Sequence, residues 1–257
     1  MALQQQEVVM TEIRTSLSKV HTFATRLRTD RSGLALVEFA VSLPFFMGLA
    51  IGGIETANYA ATTMQVNQIV VHVADNAARM GIDNLVGKRR VEEGNINDVF
   101  TGARHEGRGL TLDGFHPYTD PGTGQVVQRG NARIMLSSVE PVASPNTTNR
   151  YRIRWQRCTG PGTHYQPVYG KVSNSSNVIG IGPTGRQSTA PDFGGVMFVE
   201  MHYHFEPMLD IGFTRLVETD IVASAAMIVR DSRDFAGPSG GQGIWPTTGQ
   251  TASTCNF

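Results

Sequence analysis

Two cysteines, Cys158 and Cys255, are all that this chain of 257 residues contains. So small a number excludes a disulfide-dense scaffold. With no paired CxxC spacing it also excludes a thiolate zinc module. One disulfide in an oxidising compartment and two free thiols are both open. An excess of charge of either sign is missing too. The 22 basic and 22 acidic residues cancel, which argues against nucleic-acid capture by bulk electrostatics, and no specific nucleic-acid partner is expected. No GxxxxGK[ST] loop occurs, and Gly180-Ile181-Gly182-Pro183 does not fit the dinucleotide pattern. GxSxG and HExxH are absent as well. Cys158 beside His164 is the one candidate nucleophile, and a disulfide accounts for Cys255 better. The expectation is a non-enzymatic protein without a cofactor.

Long apolar runs are also absent, with one exception. Residues 34–54 read LALVEFAVSLPFFMGLAIGGI, with Glu38 as the single charge. A helix of that length rises about 31 Å, close to the hydrocarbon thickness of a bilayer. Before it come Arg14, Lys19, Arg26, Arg28 and Arg31, partly offset by Glu7, Glu12 and Asp30. The region just after it has little positive charge. That bias places the N-terminus in the cytoplasm. A buried core helix and a secretory signal peptide are the competing readings. The latter is disfavoured by the length of the run and the lack of a good cleavage site at its end. Pro44 removes a backbone donor in mid-run and predicts a kink or local unwinding. Beyond the run, Val66, Ile69 or Val70, Val73, Ala77 and Met80 recur at a helical period, predicting an amphipathic continuation that ends at Gly81.

The segment Arg31-Ser32-Gly33-Leu34-Ala35-Leu36-Val37-Glu38-Phe39-Ala40 resembles the cleavage region of type IV prepilins. From Arg31 to Met80 the chain is similar to TadE-family minor pilins, or pseudopilins, of the tight-adherence (Flp) pilus system. Trp155-Gln156-Arg157-Cys158 and the Arg230-to-Arg233 stretch add to the likeness. The resemblance implies cleavage by a prepilin peptidase between Gly33 and Leu34. Glu38 and Phe39 then become the fifth and sixth residues of the mature chain, the acid–aromatic pair of this family. It also implies that Glu38 pairs with the new N-terminal amine of a neighbouring subunit, which would offset the cost of a carboxylate in the membrane. Snorkelling to the headgroups is the alternative for Glu38. The leader is longer than many in this system, and Met10 offers a shorter start.

Four segments follow from this reading. Residues 1–33 are a basic cytoplasmic leader, cleaved on maturation. Residues 34–80 are the transmembrane helix with its amphipathic continuation. Residues 81–130 form a Gly-rich transition, in which His116-Pro117-Tyr118 and Asp120-Pro121-Gly122 read as turns. Residues 131–257 form an extracytoplasmic β-rich domain. The fold class is α+β, a long N-terminal helix followed by a mainly antiparallel β domain with long irregular loops.

Within that domain, residues 131–140 and 150–158 read as strands. On the second, Tyr151, Ile153 and Trp155 share one face, and Arg152, Arg154 and Gln156 the other. Arg150, Arg152, Arg154 and Arg157 either face solvent or meet an acidic partner. Residues 159–195 form an irregular excursion with a short strand near Val178-Ile179. Residues 196–206 alternate cleanly. Met197, Val199, Met201, Tyr203 and Phe205 predict a core face, and Glu200, His202, His204 and Glu206 a solvent face. His202 and His204 with a carboxylate form a weak candidate Zn²⁺ site. Residues 207–219 read as a short helix or turn, and 220–230 as a strand or a buried helix. The tail from Asp231 is mobile unless a Cys158–Cys255 bond ties it down.

The function expected is a structural one in pilus assembly at a bacterial inner membrane, with the domain in the periplasm or on an extracellular pilus. Its partners are the prepilin peptidase, other pilin and assembly subunits, and inner-membrane lipid. An anchored periplasmic binding or sensor module is the first alternative. A periplasmic metalloenzyme is the second.

Overall fold

A computed structural model describes residues 22–23, 25–26, 33–83, 87–208, 220–238 and 242–257. The chain divides into two compact units at Ile54 and Glu55. The expectation for 207–219 lies largely outside the described residues.

Helix α1 spans Leu34–Arg79, 46 residues in one run with Pro44 inside it. Its first part, 34–54, is a single membrane-spanning helix by length and composition, and none of its apolar window is buried against protein. Large side chains such as Leu36, Phe39, Phe45 and Phe46 stand free on its surface. From Glu55 onward the same helix has one buried face, formed by Val66, Ile69, Val70, Val73, Ala74 and Ala77. That is the face the period of the sequence predicts. The helix stops at Arg79, and Gly81 takes φ +128°, a conformation that side chains with a Cβ rarely adopt. Arg233 closes the end: its Nη2 donates to the carbonyls of Ala77, Ala78 and Met80 at 3.2, 3.2 and 2.8 Å. These are the carbonyls that a helix end leaves without intrahelical partners.

A two-residue ladder follows, β1 (Ile82–Asp83) with β2 (Arg89–Arg90). Helix α2 (Glu93–Glu106) then forms where the glycines of 81–130 suggested that no long element could. Two features outweigh Gly94 and Gly102. The Glu92 N–H donates to Asn95 Oδ1 at the helix start, and Ile96, Phe100 and Ala103 bury one face. A second correction concerns His116-Pro117-Tyr118, which lie in strand β3 (Phe115–Thr119). It pairs with β4 (Val126–Gly130) as a hairpin. Pro117 is tolerated because this two-stranded hairpin has open edges. Asp120-Pro121-Gly122 does lie at its turn.

The main sheet has the order β6-β5-β7-β8, antiparallel throughout, with β5 Ala132–Pro141, β6 Tyr151–Thr159, β7 Val196–His204 and β8 Asp220–Ile228. Residues 220–228 are thus strand, not helix. β5 is buried at all ten positions, since α1 lies on one face and the excursion after β6 covers the other. The α1 side holds Ile134, Leu136, Trp155, Met197, Val199, Met201 and Tyr203 in one core cluster. A smaller cluster on the other face holds Val139, Tyr151, Ile153, Val196 and Phe198.

Trp155 and Ile153 therefore sit on opposite faces, against the expectation from alternation. The register explains it. Ser138 pairs with Trp155 and Val139 with Ile153, so Arg154 is an extra residue in a bulge. One inserted residue exchanges the faces on either side of it. Residues 160–195 are irregular as expected, with single bridges Tyr151–Val178 and Ile181–Ser188. Cys158 and Cys255 are disulfide-bonded, and the Cys158 N–H donates to Ser253 O at 2.8 Å. The tail is anchored further up as well, by the Trp245 N–H on Val91 O and the Gly94 N–H on Thr247 Oγ1.

Candidate functional site

Two places are candidates for functional chemistry. The first is the start of α1. Gly33 occupies a turn and Leu34 is the first helical residue. The Val37 N–H closes the first turn on Gly33 O at 3.1 Å. Glu38 and Phe39 are exposed on the helix surface. Glu38 stands four residues after Leu34, about 6 Å along the axis. Pro44 lies ten residues into the helix, within its exposed apolar part.

The second place is the face of the main sheet beneath the excursion. Here the structure corrects the reading of β7. Glu200 is 2% and His202 6% exposed, so the solvent-face reading fails for these two, while His204 is half-buried and Glu206 is exposed as expected. The excursion supplies the cover. Glu200 accepts from the Val168 N–H at 2.7 Å and the Tyr169 N–H at 3.3 Å, and pairs with His202 Nε2 at 2.6 Å. The Tyr165 ring stacks on His202 at 5.0 Å between centroids. Next to these, Gln156 bridges Ser137 Oγ, Gly170 O and the Val172 N–H. A loop of 36 residues covers this face and gives Glu200, His202 and Gln156 their partners.

The Zn²⁺ reading does not hold in this geometry. His202 is committed to Glu200, and His204 Nδ1 meets Asp220 Oδ1 at 3.1 Å. Among the described residues no three His, Cys, Asp or Glu side chains converge as a metal site. His204 instead belongs to a group of rings that sequence reasoning missed. It stacks on His116, which is contacted in turn by His164. Tyr165 Oη donates to Asp220 at 2.9 Å. The His204 hydrogen bond holds the Asp220 carboxyl below its ordinary value. Burial, followed by the Asp220 charge, pushes the Tyr165 phenol up. Burial lowers His164, and the neighbouring Arg129 and His116 act in the same direction. The sequence offers no local signal for this group: His164 lies in the excursion, His116 in β3 and His204 in β7.

The arginines of β6 are mostly used internally. Arg152 Nε and Arg154 Nη1 share Glu140 Oε1 at 2.8 and 3.1 Å. Arg157 Nε lies 3.1 and 3.0 Å from the two oxygens of Glu93. The solvent-facing reading therefore fails for Arg157, whose side chain is 12% exposed. His72 is surface-exposed and pairs with Glu106. No protein-family model, curated protein or solved structure matches this chain.

Proposed function

We propose that this chain is a minor-pilin-like structural component of a tight-adherence pilus, matured by a prepilin peptidase between Gly33 and Leu34. The observation that carries the reading is the coincidence at the start of α1. The helix begins at the residue after the proposed cleavage point, and the 21 residues from there are the lipid-compatible ones. Cleavage there would free an amine at the first residue of a helix that is already formed. Glu38 lies one turn further on and is the acid that such an amine on a neighbouring copy would meet. In this reading the N-terminus is cytoplasmic, as the arginines before the helix favour. The disulfide-bonded domain is periplasmic, where such bonds persist. Its partners are the peptidase, other pilin subunits and membrane lipid.

Intact-mass and N-terminal analysis of the protein from its native membrane tests this directly. The expected mature chain starts at Leu34. With Glu38→Ala, processing continues and recovery in sheared filaments drops. A mature protein that keeps residues 1–33, with Glu38→Ala silent, would leave an anchored binding module instead.

A further inference from the structure

The β3–β4 hairpin is held to the domain in an unusual way. Its strand β3 buries one side chain, His116, at 6% exposed, while Phe115, Pro117 and Thr119 face outward. On β4 only Gly130 is buried. The side chain that plugs the hairpin into the domain is therefore a titratable ring, not an aliphatic one. That ring lies flat on His204 of β7, with centroids 3.6 Å apart and planes within 11°. His164 of the excursion approaches it edge-on at 6.3 Å.

The proton positions follow from the hydrogen bonds. Asn131 Nδ2 donates to Thr111 Oγ1, so its Oδ1 is the acceptor for His116 Nδ1–H at 2.9 Å. His204 Nδ1–H donates to Asp220 Oδ1. With Nδ1 engaged on each ring, Nε2 is the nitrogen at which a neutral ring would take a further proton. The surrounding charges are few. On β4, Arg129 is the cross-strand partner of His116, and its guanidinium sits over the Tyr118 ring. On β8 there is Asp220, and on the excursion His164 and Tyr165. One step along β7, His202 is already paired with Glu200. With neutral imidazoles, Arg129 and Asp220 balance. One proton on His204 is matched by Asp220. A second, on His116, has no carboxylate of its own among the described residues and faces an imidazolium in ring contact, with Arg129 on the adjacent strand.

We propose that the His116–His204 stack, backed by His164, is a proton-operated latch: neutral rings dock the β3–β4 hairpin on the main sheet, and protonation of both undocks it. The two ends of the hairpin stay fixed. The Asn131 N–H donates to Gly114 O, the His204 N–H donates to Asn131 O, and Gly130 packs so closely on Pro161 that a Cβ there would lie 2.2 Å from its carbonyl carbon. The movement is thus a swing of 115–129 about residues 114 and 130, with the main sheet intact. Burial, Arg129 and His116 disfavour a proton on His164, the ring that backs the stack.

Amide hydrogen exchange on the full chain in detergent micelles, corrected for intrinsic rates, tests the latch at about pH 7.5 and about pH 5. Protection of 115–130 is expected to fall about tenfold or more at the lower pH, while β5 and β7 keep theirs. Histidine NMR of the same sample should show His116 and His204 taking up protons in two separate steps, with the loss of protection following the second. His116→Phe keeps a flat buried ring without the charge, and its hairpin should be equally protected at both pH values. If that variant does not fold, His204→Phe serves the same purpose. Unchanged hairpin protection with both rings protonated overturns the latch, as does a Phe variant that opens in acid as far as the wild type.

Discussion

The two faces of the main sheet differ in what they bury: one is apolar, and the other joins a small apolar cluster to a polar patch. Under α1, the sheet presents Ile134, Leu136, Trp155, Met197, Val199 and Met201 to an aliphatic helix face, and the pairing is nonspecific burial. Under the excursion it presents, beside the small apolar cluster of Val139, Ile153, Val196 and Phe198, a polar patch of Arg133, Ser137, Gln156, Glu200 and His202, all less than a tenth exposed, in which Ser137, Gln156, Glu200 and His202 are held by directed hydrogen bonds. The first face tolerates any partner of the right shape. The second accepts only a chain segment that delivers N–H groups and rings at the right places. Burial alone therefore does not distinguish a core from a fitted polar seat; the chemistry of the face does.

Substitutions sharpen this contrast. On the α1 face, Trp155→Ala should cost the domain about 3–5 kcal/mol, read as a lower denaturation midpoint in micelles. On the excursion face, Glu200→Ala strands two N–H groups and His202, and should cost about 2–3 kcal/mol. Limited proteolysis should then cut within 160–195 before the sheet unfolds. A comparable loss on both faces, with no new cleavage, would make the polar seat an ordinary core.

Acid should act on the excursion side first. His164 has a lowered pKa when folded, so the unfolded chain binds the extra proton more readily. Its stabilising effect is complete above the unfolded value of 6.5 and is lost as the pH falls from there toward the folded value. Asp220, also lowered, adds a loss of the same sign below its ordinary 3.8. Melting followed against pH should show both, and His164→Phe should remove the upper one. The smallest effect concerns Phe193, 74% exposed at φ 57°. Phe193→Gly relieves a left-handed aromatic and should raise stability by about 0.5 kcal/mol, seen as a slightly higher midpoint.

The α1 face was legible because its pattern is simple. Val66, Ile69, Val70, Val73 and Ala77 recur at the helical period, and Met197 to Phe205 at the strand period. The polar seat was not legible, because alternation reports which residues share a face and not what lies over it. Glu200 and His202 read as solvent-facing since nothing local shows that residues 160–195 return to cover them. The Arg154 bulge was invisible for a related reason: the two-residue period of β6 continues in the sequence while its pairing slips by one. Helix α2 was missed where Gly94 and Gly102 argued against it, although Ile96, Phe100 and Ala103 keep a helical spacing. At the start of α1 the reverse holds. The apolar run was legible, because a membrane span must be contiguous in sequence.

Arg233 gives the domain a mechanical character. It grips the last turn of α1 through three carbonyls, while the buried residues of the helix hold the sheet along their whole length. Tension along the helix axis therefore meets many contacts sliding in parallel and a stop at the far end, rather than a seam that can be opened one contact at a time. Within the domain, the helix from Val66 to Arg79 is thus fastened both along its length and at its end.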